Sequence, residues 1–161
     1  MELSMKFEWP EKPASLAVQI DSCDYLCLRE ISEPTDNCLR MVIEEAGVVG
    51  EEVTMEIAGV TFTKLHPIKS TKGSRRFEMI WDTYVAYSVR NESYSSADKR
   101  EIFEGERIRV YSKSNFLEFI KQATFATDAY PGPYQHVQVV CLDHVVDVAA
   151  VNPPGITLLP K

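Results

Sequence analysis

Between Phe77 and Asn91 the chain repeats apolar residues at a period of two. Phe77, Met79, Trp81, Thr83, Val85, Tyr87 and Val89 fall on one side, and Glu78, Asp82, Tyr84, Ser88 and Arg90 fall on the other. Strand side chains alternate between two faces, whereas a helix repeats about every 3.6 residues and scatters such a set around its axis. The run therefore predicts one long, half-buried β-strand. A strand needs partners for its backbone donors and acceptors, so the rest of the chain has to supply a sheet.

Other segments supply it. Asp24 to Ile31 and Cys38 to Glu45 read as paired strands around the turn-forming Ser32-Glu33-Pro34-Thr35-Asp36-Asn37. Leu39, Met41 and Ile43 share one face, with Arg40 and Glu44 on the other. A third strand is expected over Val53 to Thr63, with a bulge at Ala58-Gly59. Ile108 to Tyr111, Tyr134 to Leu142 and Val145 to Val151 read as further strands, the last two joined by a tight turn at Asp143-His144. Asn152-Pro153-Pro154-Gly155 closes the regular structure, and an apolar tail follows.

Helical periodicity is clear in one place. Phe116, Phe119, Ile120 and Ala123 stand at i, i+3, i+4 and i+7, behind Ser114 or Asn115 as caps; Asn115 and Glu118 have capping-box spacing. The expected fold class is α+β: a mainly antiparallel twisted sheet of about six to eight strands with one principal helix near residues 115–124. The 161 residues suit a single domain spanning 1–161. Pro10 and Pro13 predict an irregular N-terminal arm over residues 1–15.

Composition narrows the function classes. The formal charge is −7, which repels nucleic acid and anionic lipid at long range and favours a basic partner. The opening Met1-Glu2-Leu3-Ser4-Met5-Lys6 has no apolar signal region, and no apolar run approaches the length of a membrane span. A cytoplasmic protein with reduced thiols at Cys23, Cys27, Cys38 and Cys141 is the expectation. The segment Lys64 to Arg76 reverses the charge, but it lacks the stacking aromatics of nucleic-acid readers.

No catalytic, cofactor or metal motif emerges. Glycine-rich phosphate loops and the G-x-S-x-G elbow are missing from the sequence. Cys23 and Cys27 have no second pair to complete a zinc site. Cys141, His144 and Asp147, with His136 near by, are close in sequence, but Cys141 lies in an apolar run that suits an inert core thiol. No enzyme activity is assigned on these residues. The candidate partner-binding residues are Asp82, Tyr84, Arg90 and Tyr94 on the polar side of the long strand, with the carboxylates Glu44, Glu51 and Glu52.

Trp81-x-x-Tyr84-Val85-x-Tyr87-x-Val89-x-Asn91-Glu92-Ser93-Tyr94, the helix that follows, and Leu142-Asp143-His144-Val145-Val146-Asp147-Val148 make a pattern covering roughly residues 77–150. It resembles the immunity proteins encoded beside bacterial polymorphic toxins. That resemblance implies a small, acidic, cytosolic, non-enzymatic protein that neutralises a cognate toxin by binding it, and it assigns no residue a role. The alternative is a small-molecule-binding domain or an enzyme, with a cavity between sheet and helix lined by Trp81, Tyr87 and the helix phenylalanines. A homo-oligomer joining acidic strand faces to the basic segment is a third reading.

Overall fold

The computed structural model describes the backbone of residues 11–161 and the side chains from residue 16. Twelve strands and two α-helices occur among the described residues. The class is α+β, dominated by antiparallel β-structure, as the alternation predicts.

Two sheets form the body. The first contains β1 (Tyr25–Ser32), β2 (Leu39–Val48), β6 (Arg76–Trp81) and β12 (Gly155–Leu158) in the order β1-β2-β6-β12, with the short β5 (Ile68–Lys69) also on β2. The second runs β7-β11-β10-β9-β8, built from β7 (Ala86–Asn91), β8 (Ile102–Glu104), β9 (Ile108–Lys113), β10 (Gln135–Val140) and β11 (His144–Ala150). β3 (Val53–Ile57) and β4 (Val60–Leu65) form a separate hairpin.

One apolar core joins the two sheets. Leu39, Met41, Ile43, Phe77, Met79 and Trp81 come to it from the first sheet, and Ile108, Val137, Val139, Val146 and Val148 from the second. These are the alternate positions of their strands, so each sheet commits one face to the core. The opposite face of the first sheet carries ionic ladders: Arg40 bridges Glu30 and Glu78, and Glu44 bridges Arg29 and Arg76.

Several expectations change. The run from Phe77 to Asn91 is two strands in different sheets: β6 ends at Trp81, the chain bends over Asp82–Val85, and β7 begins at Ala86. Ala58 and Gly59 make a turn, not a bulge. Both have positive φ, 51° and 79°, as a type I′ hairpin turn requires, and the third strand folds back on itself as β3 and β4. The tail after Pro154 pairs with β6 as β12, because its backbone finds an open sheet edge there.

The expected arm is partly helix. α1 (Glu11–Asp21) starts two residues before Pro13, which sits in the first turn where a missing N–H costs no hydrogen bond. Ala17 and Ile20 bury against the core beneath it. Residues 1–10 of that arm lie outside the described residues. The second helix, α2 (Asn115–Ala123), matches the expected position. Ser114 is its cap, accepting the Leu117 N–H at 3.0 Å. Only part of its stripe is buried: Ile120 is inaccessible while Phe119 stands exposed.

The end of α1 is tied to the second sheet by a single oxygen. Asp21 Oδ1 accepts the backbone N–H groups of Glu106, Arg107 and Ile108 at 2.8, 2.7 and 3.0 Å. The turn that gathers these three donors needs Gly105 at φ +99°, where a Cβ would lie 2.0 Å from the Ile108 carbonyl oxygen. Gly105→Ala is expected to lower the unfolding free energy by about 2 kcal/mol or more. Gly47→Ala, at a site with open space around it, is expected to cost much less. Urea denaturation of the two variants beside the parent checks the contrast.

Candidate functional site: a polar cleft on the outer face of the second sheet

The second sheet has its inner face on the core, so the side chains of opposite parity point outward. From β10 these include His136 and Gln138, from β11 Asp147, from β9 Arg109 and Tyr111, and from β7 Ser88 and Arg90. The four buried polar residues among the described ones are Ser114, His136, Gln138 and Asp147, and all belong to one hydrogen-bonded group.

Asp147 is its centre. Oδ1 accepts from Gln138 Nε2 at 2.8 Å and pairs with His136 Nε2 at 2.9 Å, while Oδ2 accepts from Arg90 Nε at 3.0 Å and Ser88 Oγ at 3.2 Å. Burial alone pushes this carboxyl upward. The hydrogen bonds from His136 and Gln138 and the Arg90 charge overturn that and hold it below its ordinary range. Gln138 continues the chain of bonds, its Oε1 accepting from Tyr111 Oη at 3.0 Å and Arg109 Nη1 at 3.5 Å. Tyr111 stacks on the His136 ring with centroids 4.3 Å apart.

Ser114, His136 and Asp147 thus lie in line, with the buried serine at one end. With His136 donating from Nε2 to Asp147, Nδ1 is left as the acceptor for the Ser114 hydroxyl 2.8 Å away. Ser114 is buried and its oxygen already receives the Leu117 N–H as the helix cap. The group orders the sheet face and the start of α2.

Above this floor lies a cleft of about 820 Å³. Its roof follows from strand order. β7 and β8 are consecutive in the chain but occupy opposite edges of the sheet. The connector 92–101 therefore has to cross four strand spacings, about 19 Å. Its far end is fastened to α2, where Asp98 accepts from Asn115 Nδ2 at 3.1 Å and Glu101 accepts the Asn115 N–H at 2.8 Å. Arg90 and Arg109 extend the floor, and Phe103 and Phe116 line the space beside it. Its volume falls within the range of small-molecule sites.

The residues expected to form one partner surface are dispersed. Arg90 is on the cleft floor, held by Asp147. The break after Trp81 separates it from Asp82, which is exposed in the bend, and from Tyr84, whose hydroxyl donates to Glu33. That bond, with burial and the Glu33 charge, pushes the Tyr84 phenol up to about 12. Tyr94 is exposed in a 3₁₀ turn at Glu92–Tyr94. Glu44 belongs to the ladder on the first sheet, 2.6 Å from Arg29. Glu51 and Glu52 are exposed just before β3, with Glu52 3.8 Å from His66.

The cavity lining expected from the sequence also moves. Trp81 is core, Tyr87 packs toward the same core, and α2 covers the other face of the sheet with Phe116 in the cleft. Cys141 is a buried core thiol pushed up to about 12 by burial first, and Cys23 is raised to about 11 by burial and the Glu45 charge. All four cysteines are free. Among the described residues, no three His, Cys, Asp or Glu side chains come together to hold a metal ion, and no helix is long and apolar enough to cross a membrane.

The sequence held a signal for the floor. His136, Gln138 and Asp147 share one parity in a hairpin whose other positions are mostly valine and alanine. Comparison with family models, curated proteins and solved structures finds no match in any of the three.

Because the depressed Asp147 carboxyl binds its proton less readily folded than unfolded, its contribution is full above the unfolded value near about 4 and disappears as pH falls through the folded one. Asp147→Asn is expected to cost about 3 kcal/mol at pH 7, by leaving Arg90 and the other donors without their charge. The gap from the parent should narrow below about pH 4. Urea midpoints across pH 3–7 measure both.

Proposed function

We propose that the chain is a binding protein for a small polar molecule held in the cleft between the second sheet and the connector 92–101. The observation that carries this reading is the concentration of buried polar side chains under a concave space of about 820 Å³. Binding sites combine apolar walls with a few fixed polar groups. Phe103 and Phe116 provide the walls; Arg90, Arg109 and Ser88 are held in place by their bonds to the buried network.

A fragment screen by amide NMR tests it. Hits are expected to move the amides of residues 88–90, 109–111 and 136–138 together. A screen whose hits all lie elsewhere would sink the proposal.

A second reading, neutralisation of a basic protein such as a cognate toxin, has its own support. The β3–β4 hairpin shows solvent Val53, Met55, Ile57, Val60 and Phe62, each 38% exposed or more. A lone two-stranded hairpin gains little stability in water, and contiguous exposed apolar surface marks interaction sites. Glu51 and Glu52 stand at its base and suit a basic partner. The paired substitution Met55→Ser and Phe62→Ser is expected to leave stability within about 0.5 kcal/mol. It should remove a 1:1 complex with any basic protein first captured from the native lysate, as calorimetry would register. Undiminished affinity would dismiss the hairpin as the contact surface.

A further inference from the structure

Charges around the cleft are unevenly satisfied. Asp147 is saturated by donors, and Arg90 spends its charge on it. Asp98 is held by Arg100 at 2.6 Å and by Asn115, a combination that keeps its carboxyl far below the ordinary range. Glu101 accepts the Asn115 backbone N–H. Glu92 is exposed at the edge of the cleft.

Arg109 differs. Its Nε donates to the Glu106 carbonyl at 3.2 Å and its Nη1 to Gln138, both neutral acceptors. No carboxylate forms an ion pair with it among the described residues. A guanidinium has five N–H donors, and these bonds together with the neighbouring Tyr111 hydroxyl leave it with spare donors beside the cleft. Its Cζ stands over the Phe103 ring, 4.6 Å from the centroid. An arginine anchored by two neutral acceptors and an aromatic ring, with no carboxylate partner and part of its fork free, is arranged to receive a planar anion through paired hydrogen bonds.

We infer that the cleft takes a small organic carboxylate with a planar apolar body, its carboxylate on Arg109 and its body along Phe103 and Phe116. This rests on the reading of the cleft as a ligand site. Lys99, also lining the cleft, adds a second positive charge at the wall. The net charge of −7 opposes approach of an anion from afar, so recognition depends on the short-range contact with Arg109.

Benzoate, benzamide and benzylamine, equal in size and different in charge, are the probes, titrated into the parent protein by amide NMR. Benzoate is expected to move the amides of Phe103, Arg109, Tyr111 and Asn115 to saturation, with benzamide at least about tenfold weaker. Arg109→Gln should weaken benzoate by a similar factor, and Arg109→Lys, which keeps the charge without the fork, by less. Equal binding of benzoate and benzamide, or preference for benzylamine, overturns the anion assignment and leaves the cleft reading standing. If no probe moves the cleft amides while other fragments do, the anion assignment alone fails; if nothing moves them, both fail. Should Arg109→Gln fail to fold, the three-probe comparison on the parent protein decides the question unaided.

Discussion

A carboxylate taken out of water has to be surrounded by donors, and Asp147 meets that demand by joining elements far apart in the chain. His136 and Gln138 reach it from β10, and Ser88 and Arg90 from β7. Through Gln138 it engages Arg109 and Tyr111 on β9, and through His136 it reaches the cap of α2. The outer face of the second sheet is thus ordered by directional bonds, while its inner face is ordered by contact with the first sheet. Non-directional packing tolerates small rearrangements; a saturated polar network tolerates few, since any displaced donor leaves a buried group unpaired.

The core was largely legible in the sequence and the site only in part. Leu39, Met41 and Ile43, like Phe77, Met79 and Trp81, are buried as alternation requires. The turn at Ala58-Gly59 left a mark that is ambiguous: the apolar phase slips between Ile57 and Val60, which a bulge in one strand and a two-residue hairpin turn both produce, so the expected bulge is a hairpin. The break after Trp81 left no such mark. Apolar positions keep the same parity from Phe77 to Val89, because both halves face one core from opposite sheets. Periodicity records which side of a strand is buried, but not which sheet the strand belongs to.

Charge was the least transferable guide. Arg90 and Tyr84 share a parity and were expected on one surface, yet the bend at Asp82–Val85 sends Tyr84 to Glu33 and Arg90 to Asp147. The acidic character of the chain likewise gave no sign of an arginine left without a carboxylate partner. Arg109 sits in a short strand with nothing in its neighbours to mark it; its lack of a counter-ion becomes visible only once β9 and β10 are side by side.

The cleft itself and the residues beneath it have different origins. Strand order makes the connector 92–101 cross the sheet, because β7 and β8 lie at opposite edges, and the core on the inner face leaves it the outer one. An apolar floor of valine and leucine under that crossing would satisfy the fold. Buried ion pairs add little net stability over apolar packing of the same volume. Stability therefore does not account for a floor built from a carboxylate, an imidazole, an amide and two guanidinium groups. What such a floor supplies that valine does not is fixed direction: it holds the Arg109 fork against Gln138 and leaves part of it turned to the open space.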